Sequence, residues 1–408
     1  MKRIDIALLG IIFLVAGGLR FYDITSPPNR YMDETGHVPA ATNYWSNGQF
    51  EPDSWEHPPL RPILLYGFLQ IFGDNPYGWR MRNVLFGSAT AVLIYLFAFK
   101  ISGSRKTAFM AGLLLATDPL HVVLSRHTFC EVYGTALCLL AVLLYVNHNG
   151  RTPWLMLSAL IMGSALATKW NYAPVWLAVY MLALYENDNY RTIGNALFIT
   201  CTYVLIPISV YILSFYQWFG RGYSFNEFIE FVANIYYSFQ LYKPESYEPE
   251  LVFLSHTKAV EWFIRPIVVG HGTYLGNGLG EFRLYMNNLP IWILTIPSMI
   301  GMAILAMRRR AVTLALPVMF FCGSYVLFLF IKRPAFLYSV TPLLPFVFTA
   351  IAYSIWRIAE RFGSKLYYVA LVVMVSWNIY LYPLVTAKQV PVSLYRYMID
   401  NNADVKIR

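Results

Sequence analysis

The 408-residue chain is 57% hydrophobic and only 13% charged, with a formal net charge of +9; an ordinary soluble domain is about 25% charged. That balance excludes a soluble globular enzyme and reads as a polytopic membrane protein, because apolar runs of about 17–25 residues, long enough to cross a bilayer, recur from end to end. The basic residues cluster in short loops with no basic-aromatic tract suited to nucleic acid. Cys130, Cys138, Cys201 and Cys322 all lie inside apolar segments, so no disulfide framework is expected.

In chain order, the first segment follows Lys2 and Arg3 without a small-residue cleavage site and reads as an uncleaved signal anchor. Expected spans are 4–22, 81–99, 107–124, 131–147, 153–168, 172–185, 194–216, 289–307, 311–331, 336–356 and 366–384. That makes an all-α membrane protein of about eleven transmembrane helices, one unit over 1–408 with no visible repeat. The stretch 59–73, "PLRPILLYGFLQIFG", is apolar but short and begins with prolines. Treating it as an interfacial helix, with the N-terminus cytoplasmic, puts Lys100, Arg105, Lys106, Arg151, Arg191, Arg308 to Arg310, Arg357, Arg361 and Lys365 all inside, as the positive-inside rule asks. Two long loops, 23–80 and 217–288, and the tail 385–408 then face outward.

This topology gathers Asp33, Glu34, His57, Arg80, Arg82, Asp118, Arg126, Glu131, Lys169, Arg265, Lys332 and Arg333 on the outer face. Ionisable groups at span ends are expensive unless paired or hydrated, so each is a candidate site residue, with snorkelling as the alternative for Lys and Arg. Asp33 has a second reading, as the cap of a helix over about 34–47. Adjacent helical residues point about 100° apart, so Asp33 and Glu34 cannot both face one substrate; one acts and the other orients. His57 has no second His or Cys at ligand spacing, and no metal or cofactor is expected. One outward carboxylate with several cations suits a lipid-borne phosphate held by Arg and Lys, with a sugar displaced by a hydroxyl that the carboxylate deprotonates.

The ordered motifs extend this. "DE" at Asp33-Glu34, an amphipathic stretch ending at Gly48, "HPPL" from His57 to Leu60, and Arg80 seven residues before Gly87 resemble the type C glycosyltransferase superfamily. "SRHTFCE" with Glu131, "GSALATKWNYAPVW" with Lys169, "WFIRPI" with Arg265, "NNLPIW" and "KRPAFLYSVTPLLPF" with Arg333 resemble the protein O-mannosyltransferases within it. The resemblance covers residues 30–345 and implies the type C fold with interfacial helices in the first outer loop.

By that likeness the enzyme would move a hexose, mannose, from a polyprenyl- or dolichyl-phosphate donor to Ser/Thr hydroxyls of proteins, with inversion, outside the plasma membrane. Asp33 would be the general base and Glu34 its support. Arg80, Arg82, Lys169, Arg265 and Arg126 would hold the donor phosphate. His57, Asp118, Glu131 and Arg333 would meet the acceptor or sugar. Two departures stand out: the loop 217–288 is too short for the luminal domain of the eukaryotic enzymes, pointing to a prokaryotic form, and "RMRN" replaces Arg-Leu-Pro, leaving Arg80 and Arg82 both open. The aminoarabinose-to-lipid-A transferases share "DE" and "HPPL", so a lipid or glycan acceptor is the alternative. A transporter or flippase would place charges near the midplane in inverted repeats, and neither is seen.

Overall fold

The computed structural model describes residues 2–31, 33–46, 57–186, 193–241, 257–330, 335–400 and 405–407. The first nine helices are α1 Arg3–Phe21, α2 Glu34–Ser46, α3 Leu60–Phe72, α4 Pro76–Ser102, α5 Arg105–Thr117, α6 Pro119–Ser125, α7 Cys130–Val146, α8 Thr152–Leu166 and α9 Ala173–Tyr185. Further long helices cover Ile193–Ser214, Leu289–Arg309, Val312–Phe330, Leu337–Phe362 and Lys365–Val385. All eleven expected spans fall on helices. Among the described residues seven helices are long and apolar enough to cross a bilayer, and the bent pair α5–α6 makes an eighth. The other three expected spans coincide with α7, α8 and α9, of 17, 15 and 13 residues. Helix α3 has 13 residues, about 20 Å of rise against a hydrocarbon core of about 30 Å.

Local chemistry sets the boundaries near the site. Asn75 accepts from Tyr77 N at 2.9 Å and Pro76 starts α4, which ends at Gly103 with φ 66°. Pro119 breaks the next span, bending it by 57°. The break leaves the Leu115 and Ala116 carbonyls without helical partners, and the buried Arg20 of α1 donates to both, at 3.2 and 2.8 Å. Asp118 Oδ1 caps α6 by accepting from His121 N at 2.9 Å. Gly87 permits the α4–α6 approach, since an added Cβ would stand 2.3 Å from Ser125 Oγ.

A small four-stranded sheet, where the sequence pattern led only to loops, joins the 217–288 segment to the 385–408 tail. Its strands are β1 Val268–Gly276, β2 Leu279–Met286, β3 Gln389–Pro391 and β4 Val405–Ile407, in order β3-β2-β1-β4. Asn277 and Gly278 both take positive φ, 51° and 72°, which closes the β1–β2 hairpin. Strands β3 and β4 bring the 385–408 tail onto the 217–288 loop, as antiparallel and parallel partners.

The two ends of the helix array differ in chemistry. At one end Arg105 bonds Asp5 at 2.6 Å, and Lys106 lies 4.2 Å from the Trp356 ring while its carbonyl accepts from Tyr367. The basic loops at 100–106 and 357–365 thus share an end with the start of α1. The opposite end carries the C-terminus of α1, the starts of α4 and α7, the 167–172 link and the sheet.

Candidate active site

Glu34 opens α2 and is locked. Its carboxylate accepts from Arg80 Nε at 2.8 Å and Nη2 at 2.9 Å, a bidentate pair with both side chains 0% exposed. His127 Nδ1 adds a third contact at 3.3 Å, and Tyr31 N a fourth at 3.2 Å. Burial alone would raise the Glu34 pKa, but the Arg80 and His127 bonds hold it down to about 2, so it stays ionised. The rest of the Arg80 guanidinium goes to Ile24 O at 2.7 Å and Asn29 O at 3.3 Å. Expected to hold a phosphate, Arg80 instead has all its described bonds inside the protein and presents no exposed face.

Asp33 is the opposite case. It is half-buried, and among the described residues its carboxylate accepts no hydrogen bond; only its backbone carbonyl is engaged, by Gly36 N and His37 N. The helix-cap reading is therefore corrected: the first turn of α2 bonds the Asp33 backbone carbonyl rather than its side chain, while the Glu34 carboxylate reaches back to Tyr31 N. Burial pushes the Asp33 carboxyl up to about 6, with the negative charge of Glu131 adding to it against Arg61 and Lys169.

The cations beside Asp33 come from two links. Leu60 N donates to Ala167 O at 3.3 Å, tying the start of α3 to the turn that carries Lys169. Lys169, only 9% exposed, pairs with Glu131 at the start of α7 and lies 5.1 Å from the Tyr338 ring. Tyr172 steadies this turn by donating to Glu131 O at 3.0 Å, over Gly134, where any Cβ would collide with the Tyr172 ring. Arg61 Nη1 donates to His37 Nε2 at 2.8 Å, and His37 Nδ1 in turn donates to Thr128 O at 2.9 Å, which fixes the imidazole tautomer. Burial, then Arg61, pushes the His37 pKa well below its ordinary value, so this relay is neutral at His37.

The remaining predicted residues divide. Arg82 is buried against the Tyr133 ring at 4.2 Å, bonds Asn83 and Arg61 O, and leaves Nη2 without a partner among the described residues. Arg126 donates to the Arg20, Tyr22 and Asp23 carbonyls, stapling the end of α1. Asp118, besides capping α6, accepts from Trp292 Nε1 at 3.1 Å and is fully buried. Arg265 is 68% exposed and pairs with Glu261 one turn earlier. His57 is half-buried near the start of α3. Arg333, with Lys332, lies outside the described residues. The structure thus brings Asp33, Glu34, Glu131 and Lys169 together and adds His37, Arg61 and His127. Arg61 directly follows the quoted "HPPL", and His127 lies inside "SRHTFCE"; their proximity to charged motif residues was the available signal. Among the described residues no group of three His, Cys, Asp or Glu could hold a metal ion.

Known structures share this architecture. The fold superimposes on the S. cerevisiae protein O-mannosyltransferase Pmt1-Pmt2 complex bound to its sugar donor with TM-score 0.81 and 11% identity, covering 100% of this chain and 93% of that one. ArnT from Cupriavidus metallidurans bound to undecaprenyl phosphate matches with TM-score 0.59 and 14% identity, over 91% and 62%. The chain is a multi-pass membrane protein with the fold of the type C glycosyltransferases.

Residues 56–213 match the family described as dolichyl-phosphate-mannose-protein mannosyltransferase. A polyprenol-phosphate-mannose--protein mannosyltransferase of Corynebacterium glutamicum is 22% identical over 85% of this chain and 81% of its own length. Another so named, from Mycolicibacterium smegmatis, is 24% identical over 54% of this chain and 52% of its own.

Proposed function

We propose that this enzyme transfers mannose from a polyprenyl-phosphate donor to Ser or Thr hydroxyls of proteins on the outer face of the plasma membrane, with inversion. The observation that carries this is the split between neighbouring carboxylates: Glu34 is held by Arg80, His127 and Tyr31 N, whereas the Asp33 carboxylate accepts no hydrogen bond among the described residues and feels the charges of Arg61 and Lys169. In the reaction, the acceptor oxygen attacks the anomeric carbon as Asp33 takes its proton. The bond from that carbon to the phosphate oxygen breaks, and the electron pair leaves on the phosphate. Lys169 and Arg61 neutralise the charge that develops there. Glu34, held by Arg80 and His127, fixes the start of α2 and hence the Asp33 carboxylate. An apolar groove lined by Phe86, Val92, Leu93, Ala136 and Leu140 suits the polyprenyl chain; Phe86 is 6.1 Å from Tyr133, the ring beneath Arg82.

The direct test is purified enzyme with polyprenyl-phosphate mannose and a Ser/Thr peptide, scored for a mannosylated peptide of inverted anomeric configuration. Retention of configuration, or transfer to lipid A with none to peptide, would overturn it. A monophosphate donor clamped by two side-chain cations requires no divalent ion. Transfer is expected to persist in excess EDTA; loss restored by a divalent ion would contradict the clamp.

The shared end of the basic loops 100–106 and 357–365 with the start of α1 supports a cytoplasmic placement of that end. A Ser104→Cys variant in intact cells should stay unlabelled by an impermeant thiol reagent added outside. Labelling would put the site on the other face.

A further inference from the structure

A row of rings stands beside the two carboxylates. Tyr31 lies 5.5 Å from His127, His127 6.5 Å from Tyr285, Tyr285 5.8 Å from Phe129 and Phe129 5.4 Å from Tyr338, centroid to centroid. A cation lies at each end: Lys169 over Tyr338 at 5.1 Å and Arg283 over Tyr31 at 5.2 Å. The two are not equivalent. Lys169 is paired with Glu131, whereas Arg283 has no carboxylate at ion-pair distance among the described residues, and its Nε is buried without a hydrogen-bond partner. Glu281 lies on the same strand face but accepts from Gln389 instead, at 3.2 Å.

Strand β2 supplies a second orphan. Phe282 and Leu284 point into the core at 0% exposure, so Arg283 and Tyr285 share the other face, about 7 Å apart. Tyr285 is 6% exposed and its hydroxyl has no hydrogen-bond partner among the described residues. Burial first, then the fields of Tyr31, Asp33 and Glu34, raise its pKa well above the ordinary value, so the hydroxyl is a donor close to the carboxylates. A buried donor and a half-buried cation left unmatched are costly in an empty site and are matched by an acceptor-rich, anionic ligand.

We propose that Arg283 and Tyr285 form the acceptor subsite and select an extended peptide with an Asp or Glu about two residues from the glycosylated Ser or Thr. This rests on the protein-acceptor reading above. In an inverting displacement the nucleophile enters opposite the leaving group, so with the phosphate at the Lys169 end the acceptor arrives from the Arg283 end. Alternate residues of an extended peptide repeat at about 7 Å, the Arg283–Tyr285 spacing on β2. Tyr285 donates to the peptide backbone, and Arg283 takes the acidic side chain.

The test uses full-length enzyme, polyprenyl-phosphate mannose and three peptides differing only in Asp, Asn or Lys two residues from the acceptor, placed on either side. For the wild type, kcat/KM is expected to be about tenfold higher for Asp than for Asn on one side, and lowest for Lys. Arg283→Gln should bring the Asp/Asn ratio near one and Arg283→Glu should favour Lys, with the donor KM unchanged. Equal use of all three wild-type peptides overturns the subsite without touching the proposed reaction, and so does an Asp/Asn ratio that survives Arg283→Glu. Transfer to no peptide, or only to an anionic lipid, defeats the protein-acceptor reading and the subsite with it.

Discussion

Asp33→Asn is expected to leave a folded enzyme that binds donor normally and turns over at least about 10²-fold more slowly. Asn matches Asp in shape, and no hydrogen bond to the Asp33 carboxylate among the described residues is lost by the change, so the effect is confined to proton transfer. The pH profile gives an independent signature. The Asp33 carboxyl is pushed up to about 6 by burial and by Glu131, and only its ionised form accepts a proton. Wild-type kcat should therefore be flat above that pH and fall about tenfold per unit below it, while the residual Asp33→Asn rate should lack this limb. A Lys169→Ala control should raise the donor KM as well, because it removes a cation from the phosphate. An Asp33→Asn enzyme within a few-fold of wild type would move the base to Glu131, the other carboxylate of the cluster.

The membrane architecture was legible because its physics is one-dimensional: a long apolar run with charged ends shows itself without reference to partners. The break at Pro119 and the cap at Asn75 were likewise present in local sequence. The β1–β2 hairpin carried a readable signal in Asn277-Gly278 between alternating apolar residues, but β3 and β4 pair across more than a hundred residues, which no local pattern discloses. At the site, the sequence offered residue types without telling which charges would meet. Arg80, Arg126 and Lys169 are indistinguishable as basic residues near span ends. One grips Glu34, one the carbonyls at the end of α1, and one Glu131 beside Asp33. Arg61 follows a proline-rich turn, and the Leu60–Ala167 backbone bond that ties the start of α3 to the Lys169 turn joins segments about a hundred residues apart.

That distinction sets the second large effect. As a phosphate ligand Arg80 would, on removal, raise the donor KM and leave the protein intact. The structure leads to another expectation. Glu34 is fully buried and accepts two bonds from Arg80, which also holds Ile24 O and Asn29 O. Arg80→Ala leaves an ionised carboxylate and two carbonyls buried without these donors, a loss of roughly 3–5 kcal/mol for the broken pair. The variant should express poorly and unfold or aggregate on detergent extraction, as followed by size-exclusion profile and thermal denaturation. Replacing both partners, as Glu34→Leu with Arg80→Met, removes the stranded charge and should recover part of that stability. It should not recover turnover, because the clamp that orients the start of α2, and with it Asp33, is gone. A stable, monodisperse Arg80→Ala enzyme with wild-type kcat and a donor KM raised tenfold or more would return Arg80 to the phosphate and leave Glu34 needing another counter-ion.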